Sequence, residues 1–251
     1  VSGVLVTGAA SGIGRALAGA LAARGTAVVL CDVDGAGVAA AARALGARAW
    51  AMAADVTKPE EVERVVGEGR RLAGPITGLV NCAGVYPNTP FLELPVAEWD
   101  AVLAVNLRAP FLMTQAVARR MIADGGGGSI VNVSSTASRL ARPGIAHYGA
   151  SKAALNQLTA VTAVELAPHG IRVNAVLPGV VGTERVLEKA AEGEGRVEHE
   201  AKLARIPLGR LAEPAEVVAV VLFLLSAEAA YCTGALFTVD GGFTLGIPAY
   251  R

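Results

Sequence analysis

The sequence predicts an α/β fold: one doubly wound parallel sheet of about seven strands, with helices on both faces. Two observations carry this. Short β-rich runs alternate with longer alanine-rich stretches at helical spacing along the whole chain. The strand candidates are continuously apolar rather than alternating, which marks a sheet covered on both faces by parallel, right-handed crossovers.

The strand candidates are "VLVT" (4–7), "AVVLC" (27–31), "ARAWAM" (47–52), "GLVN" (78–81), "SIVNVSS" (129–135), "IRVNAVL" (171–177) and "ALFTV" (235–239). Helix candidates lie between them near 12–24, 36–45, 59–72, 98–123, 148–167 and 214–226. The third helix carries its own start signal: "TKPE" (57–60) offers Thr57 as N-cap, Pro59 in the first turn and Glu60 as capping-box partner. Four glycines at 125–128 close the helix 98–123. The longest strongly apolar run, "VVAVVLFLL" (217–225), reads as a buried helix, far short of the roughly 18 residues that span a bilayer. Segment 184–207 is the most charged part of the chain, and Gly193 and Gly195 interrupt any helix there. Insertions beyond the carboxyl ends of such strands lie where ligands bind, so a substrate-loop flap is expected. With no linker, repeat or composition break, residues 1–251 read as a single domain.

Composition excludes several functions. Residues are 53% hydrophobic and 18% charged, far from a disordered chain. Lys+Arg and Asp+Glu balance at 22 each, so no net field favours nucleic acid or an anionic membrane. Cys31, Cys82 and Cys232 are odd in number and widely spaced, which suggests neither a disulfide framework nor a metal cluster. Reduced thiols and no readable targeting segment make the cytoplasm the expected location.

"VTGAASGIG" (6–14) follows the first strand and opens the first helix. Gly8, Gly12 and Gly14 lack the Cβ atoms that would keep a backbone turn away from a pyrophosphate, and the helix N-terminus offers its free N–H groups. Asp32 ends the second strand about twenty residues on, where an acid accepts from adenine-ribose hydroxyls. It would repel a 2′-phosphate, and neither Ser11 nor Val33 is a base to compensate. Two like charges about 5 Å apart at an effective dielectric near 20 repel by roughly 3 kcal/mol, about a hundredfold preference for NAD over NADP. Asp34 is equally available as a helix cap, which is the ordinary job for an acid at this point.

Tyr148 and Lys152 in "YGASK" stand four apart in a helix, on one face. A lysine cation about 5 Å from a phenol, at an effective dielectric near 20, favours phenolate by roughly 2–2.5 pKa units. That brings the group towards useful acid–base strength. Ser135 ends the fifth strand candidate, "NCAG" (81–84) the fourth, and "LPGVVGT" (177–183) follows the sixth, so polar groups gather at the edge that carries the glycine turn.

Together, "TGAASGIG", "DV" (55–56), "NCAG", Asn106, Ser135, "YGASK", "RVN" (172–174), "PG" (178–179) with Thr183, and "VDGG" (239–242) resemble the compact single-domain short-chain dehydrogenases/reductases over essentially the whole chain. The resemblance implies a Rossmann-like sheet and hydride transfer between nicotinamide and a secondary alcohol or ketone. It implies Tyr148 as general acid/base, Lys152 holding the nicotinamide ribose and tuning the phenol, Ser135 bonding the substrate oxygen, and Asn106 in a proton relay. It also implies a cofactor wall of Gly8, Ser11, Gly12, Ile13, Gly14, Asp32, Val33, Asp55, Val56, Asn81, Ala83, Gly84, Pro178, Gly179, Val181 and Thr183.

Tyr86, Pro87, Ala137, Leu140, Arg142 and His147 are candidates for the substrate pocket, and Arg139 and Arg142 raise an anionic substrate against the plainer reading of a solvated loop. Apolar helices 98–123 and 148–167 suggest a homotetramer or homodimer paired through them. A non-catalytic dinucleotide-sensing protein is the alternative; sugar-nucleotide epimerisation needs more chain beyond the sheet than is present.

Overall fold

The computed structural model describes residues 2–190 and 200–246. Its core is a seven-stranded, all-parallel sheet in the order β3-β2-β1-β4-β5-β6-β7. The strands are β1 (Gly3–Thr7), β2 (Ala27–Asp32), β3 (Ala49–Ala53), β4 (Ile76–Asn81), β5 (Gly128–Val133), β6 (Ile171–Pro178) and β7 (Leu236–Val239). The order reverses between β1 and β4, and in such sheets a crevice opens at the carboxyl ends on either side of that reversal.

Successive side chains in a strand point to opposite faces, and here both faces are packed. Leu5, Val29, Leu79 and Ile130 join Val65 and Met113 in one core, while Val4, Val6, Leu30 and Val131 join Leu17, Val217 and Val221 in the other. That double burial is the reason the strands read as unbroken apolar runs. The covering helices are α1 (Gly12–Ala23), α2 (Gly35–Leu45), α3 (Pro59–Ala73), α4 (Val96–Leu103), α5 (Ala109–Ala123), α6 (Ala146–Leu166), α7 (Glu184–Ala190) and α8 (Pro214–Leu225).

Three local expectations change. Thr57 is not the cap of α3: Lys58 holds that position, and Thr57 instead donates its hydroxyl to the Asp55 carboxylate at 2.7 Å. Glu61, not Glu60, reaches back, accepting the Asp55 N–H at 2.9 Å. The helix expected over 98–123 is interrupted by a π-helical turn at Ala104–Arg108 that joins α4 to α5. The whole span Val96–Ala123 is long and apolar enough to cross a membrane by length and composition alone, a stretch longer than the apolar run at 217–225, yet half of its most apolar 18 residues are buried inside this domain. Of the expected flap, α7 and the helical residues 200–204 are described, whereas 191–199, with Gly193 and Gly195, lie outside the described residues.

Candidate active site

The glycine turn comes first, because backbone sterics build it. Gly8 and Gly12 take positive φ, +68° and +53°. A Cβ on Gly14 would sit 2.1 Å from the Gly8 carbonyl oxygen, and one on Gly8 would sit 2.8 Å from the Ala83 backbone. Only hydrogen fits at these points, so the turn folds tightly onto the end of β4. Thr7 reinforces the junction, its Oγ1 accepting from the N–H groups of Cys82 and Ala83 at 3.1 and 3.2 Å.

Asp32 and Asp34 divide their labour. Asp34 caps α2 by accepting from Gly37 N at 2.9 Å. Asp32 accepts from Ala10 N at 2.9 Å and Asp34 N at 3.0 Å, which fixes its carboxylate beside the glycine turn. Asp55 accepts from the Thr57 hydroxyl, which holds its carboxyl below the usual range despite partial burial.

At the other end α6 carries Tyr148 and Lys152 one turn apart. The Lys152 ammonium donates to the Val133 carbonyl at 2.8 Å and lies 5.9 Å from the centre of the Tyr148 ring. Burial depresses it to about 8. The same cause acts oppositely on Tyr148: desolvation pushes its phenol up, and a hydrogen bond with Ser135 pulls it back only in part. From its i, i+4 spacing alone, Lys152 is expected to lower the phenol. In the folded chain the ammonium is spent on Val133 and approaches the ring, so desolvation wins.

Ser135 stands in extended backbone just beyond β5, its Oγ accepting from Ala137 N at 3.1 Å. Asn106 is fully buried in the π-helical turn. Its Oδ1 accepts from Val85 N at 2.9 Å, and its Nδ2 donates to Val85 O at 2.8 Å and to Ser151 Oγ at 3.2 Å. π-turns recur at functional sites, and this one aims the amide at the loop leaving β4.

One cavity of about 770 Å³ runs from the glycine turn to the tyrosine. Every predicted site residue lines it except Asn81 and Asn106. Asn81 sits inside the sheet: its amide donates to Asn132 at 2.8 Å and to Thr114 at 3.1 Å. Tyr86, Ala137, Leu140 and Arg142 line the cavity; Pro87 and Arg139 do not, and Arg139 reaches Thr238 instead. His147 is also off the wall, fully buried with Nε2 2.9 Å from Glu98 Oε1.

Several wall groups stand outside the predicted catalytic and cofactor residues. Arg185 stacks over the Tyr86 ring at 4.8 Å, and Tyr86 meets Tyr148 edge-on at 6.2 Å. Arg205 stacks over Phe243 at 4.9 Å. Arg185, Lys202 and Arg205 belong to the charged segment already singled out; nothing in the sequence marks Phe243. Cys82 also lines the cavity, with burial raising its thiol to about 11.

The turn, the fixed Asp32 carboxylate and the open cavity between them fit a dinucleotide: the glycine surface is bare where a phosphate must approach, and Gly12 faces the Thr183 methyl across the cleft, a Cβ there lying 3.3 Å from it.

Comparison with known proteins agrees in extent. A family model described as "Enoyl-(Acyl carrier protein) reductase" matches residues 8–244. A (3R)-3-hydroxyacyl-CoA dehydrogenase of Mus musculus is 39% identical over 249 residues, covering 95% of this chain and 94% of its own. An NAD-dependent glycerol dehydrogenase of Listeria innocua is 43% identical over 241 residues, covering 96% and 93%. The crystal structure of a short-chain type dehydrogenase/reductase from Mycobacterium marinum superposes with a TM-score of 0.89 at 34% identity, covering 97% of this chain and 95% of that one.

Proposed function

This chain belongs to the short-chain dehydrogenase/reductase family, and on that footing we propose how its residues exchange hydride between a nicotinamide cofactor and a secondary alcohol or ketone. The enzyme acts on CH–OH groups. The sensor alternative falls away, since relatives matched along nearly the whole chain are named as dehydrogenases.

The observation that carries the residue assignment is the shared wall: Ser135, Tyr148 and Lys152 line the same cavity as Gly8, Gly12, Gly14 and Asp32. When bound, the nicotinamide supplies or accepts hydride at its ring carbon. Tyr148 gives a proton to the carbonyl oxygen in reduction and takes it back in oxidation. Ser135, whose Oγ already accepts from Ala137, turns its own hydrogen towards the substrate oxygen and stabilises the charge that develops there. Lys152 holds the ribose hydroxyls, while the hydrogen bond from Ser135 offsets part of the desolvation that raises the phenol.

Asp55 and Val56 flank the adenine, and Ser11, Ile13 and Val33 complete that end. Ala83 and Gly84 run along the cofactor, with Pro178, Gly179, Val181 and Thr183 near the carboxamide. Asn106 and Asn81 act from behind the wall. Asn106 bonds Val85 and Ser151 from behind the wall, which supports a positioning role beside the relay role that the family resemblance implies.

Asp32 supports NAD over NADP, because its carboxylate is fixed by two backbone N–H groups and cannot swing from a 2′-phosphate. A homotetramer is supported by Phe111 on α5 and Val161 and Val164 on α6, apolar side chains left 42%, 43% and 76% exposed. Free thiols at Cys31, Cys82 and Cys232 suit the cytoplasm.

The test follows NADH absorbance with mixed ketones and alcohols. The parent turns over part of the panel and Tyr148→Phe does not. Tight NADH binding without any turnover by the parent would sink the catalytic assignment.

A further inference from the structure

The wall of the cavity around the substrate end is basic in a way the whole chain is not. Lys+Arg and Asp+Glu balance across all 251 residues, yet Arg142, Arg185, Lys202 and Arg205 all line this one end. Two acids share it, Glu184 and Glu188, and Glu184 is already paired with Arg15 at 2.5 Å.

Two of the bases are held rather than waving in solvent. The Arg185 guanidinium lies 4.8 Å over Tyr86, and the Arg205 guanidinium 4.9 Å over Phe243. Both rings are themselves part of the cavity wall. Stacking of this kind fixes the plane of a guanidinium while leaving its N–H edge available for bidentate bonding to an oxyanion. Among the described residues neither Arg185 nor Arg205 forms an ion pair with a carboxylate. Tyr86 meets the Tyr148 ring edge-on at 6.2 Å, so Arg185 stands one aromatic ring away from the reacting centre.

We propose that the substrate carries an oxyanion, a carboxylate or a phosphate, held by Arg185 and Arg205 while its carbonyl or carbinol sits at Tyr148. The proposal rests on the dehydrogenase reading of this site and narrows it to a substrate class. Low-dielectric walls bearing one sign of charge focus the field into a cleft, so the effect falls on capture as well as on affinity. Arg139, the other arginine that the sequence offered for this purpose, lies off the wall and takes no part.

The experiment compares kcat/KM for ketones of matched chain length: a neutral methyl ketone, an oxo-carboxylate series with the acid at increasing distance from the carbonyl, and a keto phosphate monoester. NADH affinity is measured alongside by fluorescence. At least one anionic ketone should outperform the neutral one by about tenfold, with the advantage shrinking as salt is raised. The combined Arg185→Gln and Arg205→Gln variant should bring that ratio close to one, and Arg185→Lys should recover part of it. Which arm wins tells carboxylate from phosphate.

Neutral and anionic ketones turned over equally by the parent would overturn the inference while leaving the dehydrogenase reading intact. So would a preference that survives in the double variant. A double variant that loses NADH affinity and keeps the anion preference assigns the arginines to the cofactor and also overturns it. If no ketone of any charge is reduced, the reading of the site itself fails.

Discussion

The two ends of the cavity are built by different means. At the nucleotide end the contacts are made by backbone: positive φ at Gly8 and Gly12, a Gly14 with no room for a Cβ, and Asp32 pinned by two N–H groups. At the substrate end they are made by long side chains from four separate stretches, with Tyr86, Arg142, Arg185, Arg205 and Phe243 brought together only by tertiary packing. Backbone geometry demands particular residues at fixed spacing. Side-chain shelves demand only that some suitable group arrive, so the first end is rigidly specified and the second is free to vary with substrate.

Tyr148 stands where the ends meet, and its loss gives the largest effect. Tyr148→Phe should lower kcat by about 10²–10⁴-fold with NADH affinity close to that of the parent, measured by steady-state kinetics and fluorescence titration. A loss below tenfold would move the proton chemistry elsewhere on the wall. Because burial pushes the phenol up, alcohol oxidation should still be rising as pH passes into the alkaline range, where the phenolate base accumulates.

Asp32 tests the rigid end by itself. Asp32→Ser should shift the ratio of kcat/KM for NAD over that for NADP by about a hundredfold, as removal of a roughly 3 kcal/mol repulsion requires. Little change in that ratio would mean that the cofactor is read at some other point of the nucleotide end.

Lys152 sharpens the contrast through stability. Its folded value of about 8 lies below its ordinary 10.5, so between these values the unfolded chain binds more protons. Stability therefore rises as pH climbs from about 8 to about 10.5, and below pH 8 the buried charge is a standing cost of about 3 kcal/mol. Lys152→Met removes that cost and loses the bond to Val133. It should be inactive yet more stable than the parent by about 2 kcal/mol at pH 7 in urea melts, with the order reversing towards pH 10.5, where only the lost bond of about 1 kcal/mol remains. A destabilised variant at pH 7 would show that the Val133 bond outweighs the charge.

The same division explains what could be read in advance. The seven strands, their parallel order and the glycine turn were legible because sterics and double-sided burial leave few residue choices at Gly8, Gly14, Leu5 or Val29. Thr57 misled because the local cap pattern competes with a tertiary use of the same hydroxyl, its bond to Asp55. The π-helical turn at Ala104–Arg108 was not legible because one inserted residue only shifts the phase of the apolar stripe by about 100°, a change hidden in a helix that is apolar around much of its circumference. His147, next in sequence to the catalytic tyrosine, points away to Glu98, because neighbours in a helix diverge by about 100°. The shelves under Arg185 and Arg205 depend on Tyr86, about a hundred residues before Arg185, and on Phe243, about forty residues after Arg205, and no local pattern joins them.

The smallest effect asks whether the ends are mechanically joined. Arg15, directly after Gly14, pairs with Glu184 at the start of α7, so this contact bridges the nucleotide turn and the substrate wall. Both side chains are largely exposed, 47% and 67%, and pairs of that kind are worth less than about 1 kcal/mol and are screened by salt. A double-mutant cycle on Arg15→Ala and Glu184→Ala, read by thermal melts at low and high salt, should therefore give a coupling below about 1 kcal/mol that vanishes as salt rises. A coupling well above that, insensitive to salt, would mean that the pair is shielded from water and that the two ends move as one body. The variable end could then no longer be altered without disturbing the cofactor turn, and the division of labour drawn from their construction would fail.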